Sequence, residues 1–210
     1  MKNYKQNGNA LIYILIAVAL LAALTFAITG DERGQQTNQL DSARAKLLAT
    51  DLIKHTVSAE QSVFMMTQFG KNFDDIRFDV PPITNIGDQI YHPSGGGLQI
   101  FSTNDNHFDG NGTTGWSWQG NTSVGWSGTS ATDLIYTFIN VNDQVCEQIN
   151  NQLIGNTTIP TATTDFDDVF TESGTDDPFI AGECADCEGV KSMCITDGTT
   201  NAFYTTIGMR

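Results

Sequence analysis

Residues 10–29, ALIYILIAVALLAALTFAIT, form a run of twenty positions without a charged side chain. As an α-helix such a run rises about 30 Å, the thickness of the hydrocarbon core of a bilayer, so the chain is expected to cross a membrane once. Lys2 and Lys5 precede the run, and Asp31, Glu32 and Arg33 follow it. That basic bias predicts a cytoplasmic N-terminus, a single pass through the inner membrane and a periplasmic or extracellular remainder. A secretory signal cleaved after Ala27 competes with the anchor, but the apolar run exceeds the roughly 7–15 residues that such signals use.

Charge is placed unevenly. Residues 1–77 hold eight Lys/Arg and seven Asp/Glu, whereas residues 78–210 hold only Lys191 and Arg210 against 17 acids. A nucleic-acid clamp needs a basic stripe, which the C-terminal part has no residues to build. Docking of that part onto anionic lipid is excluded for the same reason. With 40% apolar and 16% charged residues, the composition fits a folded, β-rich extracytoplasmic head better than a disordered acidic tail.

After the apolar run, residues 30–39 are polar and contain Gly30 and Gly34, which predicts a weakened or locally unwound helix. From 40 to 69 the pattern turns amphipathic. Leu48, Leu52, Ala59, Val63 and Met66 fall on one row, Ala49, Ile53, Val57 and Phe64 on the next, and Arg44, Asp51, Lys54, Ser58 and Gln61 opposite. Gly70 is a natural stop. Beyond Pro81 and Pro82, short strands are expected at 97–102, 115–119, 123–127, 134–140 and 202–207. The repeated GWS at 115–117 and 125–127 predicts a hairpin that sets Trp116 opposite Trp126. A short helix is expected over 143–155, with Asp143 as N-cap and Cys146, Ile149 and Leu153 on its apolar face; residues 156–182 read as loop. The predicted fold class is α+β: a long N-terminal helix, transmembrane then amphipathic, packed on an antiparallel β-sheet head.

The four cysteines, Cys146, Cys184, Cys187 and Cys194, are an even number in a chain expected to be exported, so two disulfides are expected, in any of three connectivities. A zinc site built from the same thiolates is the weaker rival, because a second C-x2-C pair is absent. Calcium is the one cofactor the composition raises, through the acidic loop residues Asp165, Asp167 and Asp168. The stretch DNHFDG at 105–110 begins like a calcium loop, with Asp105, Asp109 and Gly110 in place, but fails at His107 and at Trp116, where a bidentate Glu belongs. For catalysis there is no G-x-S-x-G, no H-E-x-x-H and no phosphate-cradling loop, and His55, His92 and His107 have no spaced partners, so no enzyme is expected.

The opening MKNYKQNGNALIYILIAVALLAAL, a short basic and polar stretch ending in Gly8 before an uninterrupted apolar helix, resembles the leader of type IV pilins and pseudopilins. The resemblance implies cleavage between Gly8 and Asn9 by a prepilin peptidase and methylation of the new N-terminus. It divides the chain into a leader at 1–8, a helical stem at 9–70 and a head at 71–210, and makes the inner membrane and other pilin-like subunits its partners. It also favours Cys146 with Cys194, as pilins staple a C-terminal loop, leaving Cys184 with Cys187; Cys146 with Cys184 and Cys187 with Cys194 fits the spacing equally well. Small residues Ala17, Ala19, Ala22 and Ala23 would let filament helices approach closely. Tyr13 stands where the family usually carries a glutamate, which suits a minor or tip-located subunit of a type IV pilus or a type II secretion pseudopilus. The alternative is a signal-anchored binding module, contacting a glycan, a protein or calcium, that does not assemble.

Overall fold

The computed structural model describes residues 9–78, 85–101, 107–108, 115–119, 124–127, 133–164, 166–170, 179–180 and 182–208; of these, the side chains of 9–11, 22–40, 74, 115–119 and 167–168 are not described. Two compact units are present, residues 1–44 and 45–210. The helix α1 (Asn9–Gln68) is continuous through Gly30 and Gly34, where a weakened segment was expected. Backbone hydrogen bonding within a helix continues across isolated glycines, whose cost of about 1 kcal/mol each is small against a 60-residue element.

The expected transmembrane helix and single-pass inner-membrane location are corrected here. Among the described residues no helix is long and apolar enough to cross a membrane. Within the run 10–29 the described side chains cover 12–21, a rise of about 15 Å, roughly half a hydrocarbon core.

In the second unit, α1 buries Ala45, Ala49, Leu52, Thr56, Ala59, Val63 and Met66. Steps of four and three residues alternate along this stripe, which keeps it on one side of the helix. The Thr56 hydroxyl, the one polar group on it, donates to the Ile53 carbonyl at 2.8 Å. Val57 and Phe64, expected on the buried side, are exposed. The buried stripe is narrower than the apolar set in the sequence.

The sheet has four antiparallel strands in the order β1 (Gly115–Gln119), β2 (Leu134–Ile139), β4 (Asn201–Gly208), β3 (Ser192–Thr196). Along β2, Leu134, Tyr136 and Phe138 join Phe203, Ile207 and the α1 stripe in one core, while Ile135 and Ile139 join Ala202, Tyr204, Met193 and Ile195 in a second core. Both faces of the sheet are therefore covered, and β2 is buried at every position. The second core takes Phe166, Phe170 and Phe179 from the Thr/Asp-rich stretch expected to be plain loop. Four of those residues form a helical turn, α3 (Phe166–Val169). Phe170 and Phe179 each pack a ring on Tyr204, at 6.2 and 5.6 Å between centroids.

The GWS hairpin is also corrected. Trp116 pairs in register with Phe138 and Trp118 with Tyr136, so the partner of β1 is β2. Val124 instead bridges Phe179, and Trp126 stacks edge-on against the Phe179 ring. Residues 97–101, expected as a strand, carry none. Leu98 fills the core beside Ile90, to whose carbonyl its N–H donates at 2.8 Å.

The helix α2 (Asp143–Ile154) is capped one residue earlier than expected from sequence: the Asn142 side chain accepts from the Gln144 N–H, and Gly155, at φ +73°, closes the end. Of the connectivities left open by spacing, the structure has Cys146 with Cys194 and Cys184 with Cys187. One turn beyond Cys146, Asn150 is fully buried and meets both backbone groups of Cys194: its Oδ1 accepts from the Cys194 N–H at 2.8 Å and its Nδ2 donates to the Cys194 carbonyl at 2.7 Å. An amide side chain thus stands in for a fifth strand at this edge of β3. Pro160 and Ala162 do the same by backbone at Thr196. Replacing Asn150 by Ala strands a donor and an acceptor in the core, and is expected to cost about 2–4 kcal/mol in urea unfolding while Gln144→Ala, in the exposed first turn, costs under about 0.5 kcal/mol.

Candidate functional site

Gly8 lies outside the described residues, and Asn9, the residue after the expected cut, is the first of α1. Downstream of it, Ile12, Tyr13, Ile14, Leu15, Ile16, Val18, Leu20 and Leu21 are exposed. Five consecutive apolar positions turn through about 400° of helix, so this stretch has no polar side.

In the second unit the chemistry gathers at His55, which has no spaced partner in the sequence. Its Nε2 is 2.9 Å from the Tyr136 hydroxyl, which lies 3.2 Å from that of Tyr91. Phe101 packs edge-on against the imidazole at 5.1 Å, and Phe138 does so at 5.9 Å. This surrounding lowers the His55 pKa to about 4, because burial penalises the imidazolium. Burial also pushes Tyr91 up to about 12 and Tyr136 higher still. All three groups are consequently neutral across ordinary pH, and the chain of hydrogen bonds is neutral throughout.

His55 lines a groove of about 490 Å³ between α1 and the loop at 96–99. Ser58, Gln61, Ser62 and Met65 line it from α1, and Gly96, Gly97, Leu98 and Gln99 from the loop. The loop is a run of tight turns that needs glycine. A Cβ on Gly95 would fall 2.0 Å from the Gln89 carbonyl oxygen, and Gly97 sits at φ +65°. That this loop forms one wall of a groove had no signal in the sequence, since the opposite wall lies some forty residues away.

The groove holds no nucleophile–base pair. The Ser58 hydroxyl donates to the Lys54 carbonyl at 2.9 Å, and the imidazole nitrogen that is bonded serves Tyr136. His92, the second histidine, accepts at Nδ1 from the Ser94 N–H at 3.0 Å, and His107 is buried beside Phe101.

The acidic candidates Asp165, Asp105 and Asp109 lie outside the described residues, as do the side chains of Asp167, Asp168, Trp116 and Trp118. Among the described residues no group of three His, Cys, Asp or Glu is placed to hold a metal ion. The four cysteines, all in disulfides, offer no thiolate to zinc.

No protein-family model, curated protein or solved structure matches the chain.

The His55 environment sets a pH dependence. With a folded pKa of about 4 against an ordinary 6.5, the unfolded chain takes up the proton first as pH falls. The contribution of His55 to stability is therefore whole above pH 6.5, declines as pH drops from 6.5 to 4, and levels off below. In thermal unfolding followed by circular dichroism from pH 8 to 3.5, the native chain is expected to lose more stability across that window than His55→Asn; curves that run parallel would contradict the assignment.

Proposed function

We propose that the chain is a structural subunit, a minor one, of a pilin-type filament belonging to a type IV pilus or a type II secretion pseudopilus. The observation that carries this reading is the apolar surface of 12–21, exposed on every side of α1. Covering a large aliphatic side chain is worth about 1.5–3 kcal/mol, and a single partner helix reaches only one side. Full coverage calls for several helices at once, which identical segments of neighbouring copies supply when they bundle along a filament axis.

Two further features support it. The amphipathic part of the same helix is fastened into a sheet-based head, so a subunit joined through its N-terminal segment carries its head with it. The Cys146–Cys194 disulfide ties α2 to β3 and holds the C-terminal region closed. The working division is thus a leader at 1–8, a helical part at 9–70 and a head at 71–210. Tyr13 removes the ion pair that would set register between bulk subunits, which fits a minor or terminal position.

Intact mass and N-terminal sequencing of the protein from its native source provide the first test. A mature chain beginning at methylated Asn9, lost in Gly8→Val, is expected; a chain beginning at Met1 or at Ile28 would overturn the reading. A second arm is Leu20→Glu, expected to abolish sedimentable assemblies while the unfolding midpoint of the head stays within about 0.5 kcal/mol of native.

A further inference from the structure

The groove beside His55 has a lining that selects a ligand class. Among the described residues its lining has no Lys, Arg, Asp or Glu, and His55 is held neutral by its place among Tyr136 and the Phe101 and Phe138 rings. These residues offer an anion no cation, in a chain of net charge −14, and a cation no carboxylate. What the groove does offer is paired hydrogen-bonding capacity. The amides of Gln61 and Gln99 each present an acceptor beside a donor, and both are exposed. Ser58, with its proton committed to the Lys54 carbonyl, retains acceptor capacity, and the Ser62 hydroxyl adds a donor and an acceptor. His55 Nδ1 has no hydrogen-bond partner among the described residues and is not among the buried unpaired atoms, so it too is available.

Met65, which is exposed, adds apolar surface beside these polar groups. A neutral ring bearing several hydroxyls, each both donor and acceptor, with C–H faces of its own, matches this combination. About 490 Å³ is within the range of small-molecule sites. We propose that this groove is a binding site for a neutral saccharide, with Gln61, Gln99, Ser62 and His55 as its polar contacts. Every residue in the groove belongs to the unit at 45–210, whereas the proposed assembly surface at 12–21 belongs to the unit at 1–44.

The chain has three histidines, so ring resonances of the full chain labelled with ¹³C-histidine are few and can be assigned with His55→Asn. Lactose, maltose and N,N′-diacetylchitobiose serve as neutral probes, with glucose 6-phosphate as the charged comparator. At least one neutral sugar is expected to shift the His55 resonance saturably below about 10 mM, leaving His92 in place. Gln99→Ala and Ser62→Ala, both at the groove's rim, are each expected to weaken that binding about three- to ten-fold, the loss of one hydrogen bond. No saturable shift with any of the three neutral sugars, an equal response to glucose 6-phosphate, or unchanged affinity in both variants would overturn the proposal.

Discussion

The packing of the buried stripe of α1 into the core it shares with β2, β4 and α2 is the contact on which the rest of the unit at 45–210 depends. Ala45, Ala49, Leu52, Ala59, Val63 and Met66 are buried there with Leu134, Tyr136, Phe138 and Phe203 of the sheet and with Val145 and Ile149 of α2, and the Gln152 amide of α2 donates to the Lys46 carbonyl at 3.2 Å. Once the stripe is buried, the side chains flanking it are committed as well. His55 is drawn under Phe101 and against Tyr136, where burial would leave its nitrogen unpaired without the tyrosine hydroxyl. The neutral network is a consequence of the packing, and the groove is the space left where helix and glycine-rich loop diverge.

The other side of the sheet solves a different problem. A sheet with one face on α1 would leave Ile135, Ile139, Met193, Ile195 and Tyr204 wet. Phe166, Phe170 and Phe179 cover them, together with the Cys184–Cys187 turn. Its edge strand β3 is closed by Asn150 and by the backbone at 160–162, which removes the unpaired row of groups that invites unwanted strand addition.

How far this was legible depended on whether the signal was local. The amphipathic part of α1, α2 with its Gly155 stop, and the strands β2 and β4 follow from periodicity and terminators within a dozen residues of each other. The strand β3 was missed because SMCIT is short and mixed, and gains its strand character from β4 and from Asn150. The second core was missed because Phe166, Phe170 and Phe179 are diluted among Thr and Asp, although the four-residue spacing of the first two was visible. The hairpin failed because a repeated GWS measures likeness between segments, whereas pairing is set by the partner, and β2 is the more apolar partner. The expectation of a membrane-spanning helix rested on an uninterrupted apolar run alone; no helix among the described residues meets that requirement. The groove at His55 was beyond sequence reading altogether, since its walls come from 55–65 and 96–99.

Chain chemistry and fold thus separate two surfaces. Residues 12–21 offer apolar side chains on every side and no charge, while residues 78–210 carry the acidic excess of the chain. The central claim is that copies of this chain join through 12–21, and site-specific photo-crosslinking from Ile16 tests it most directly. With benzoylphenylalanine at position 16 in the native setting, mass spectrometry of the crosslinked peptides is expected to find residues 12–21 of other copies. Crosslinks that lead to a different protein, or that join no two copies, would contradict the account.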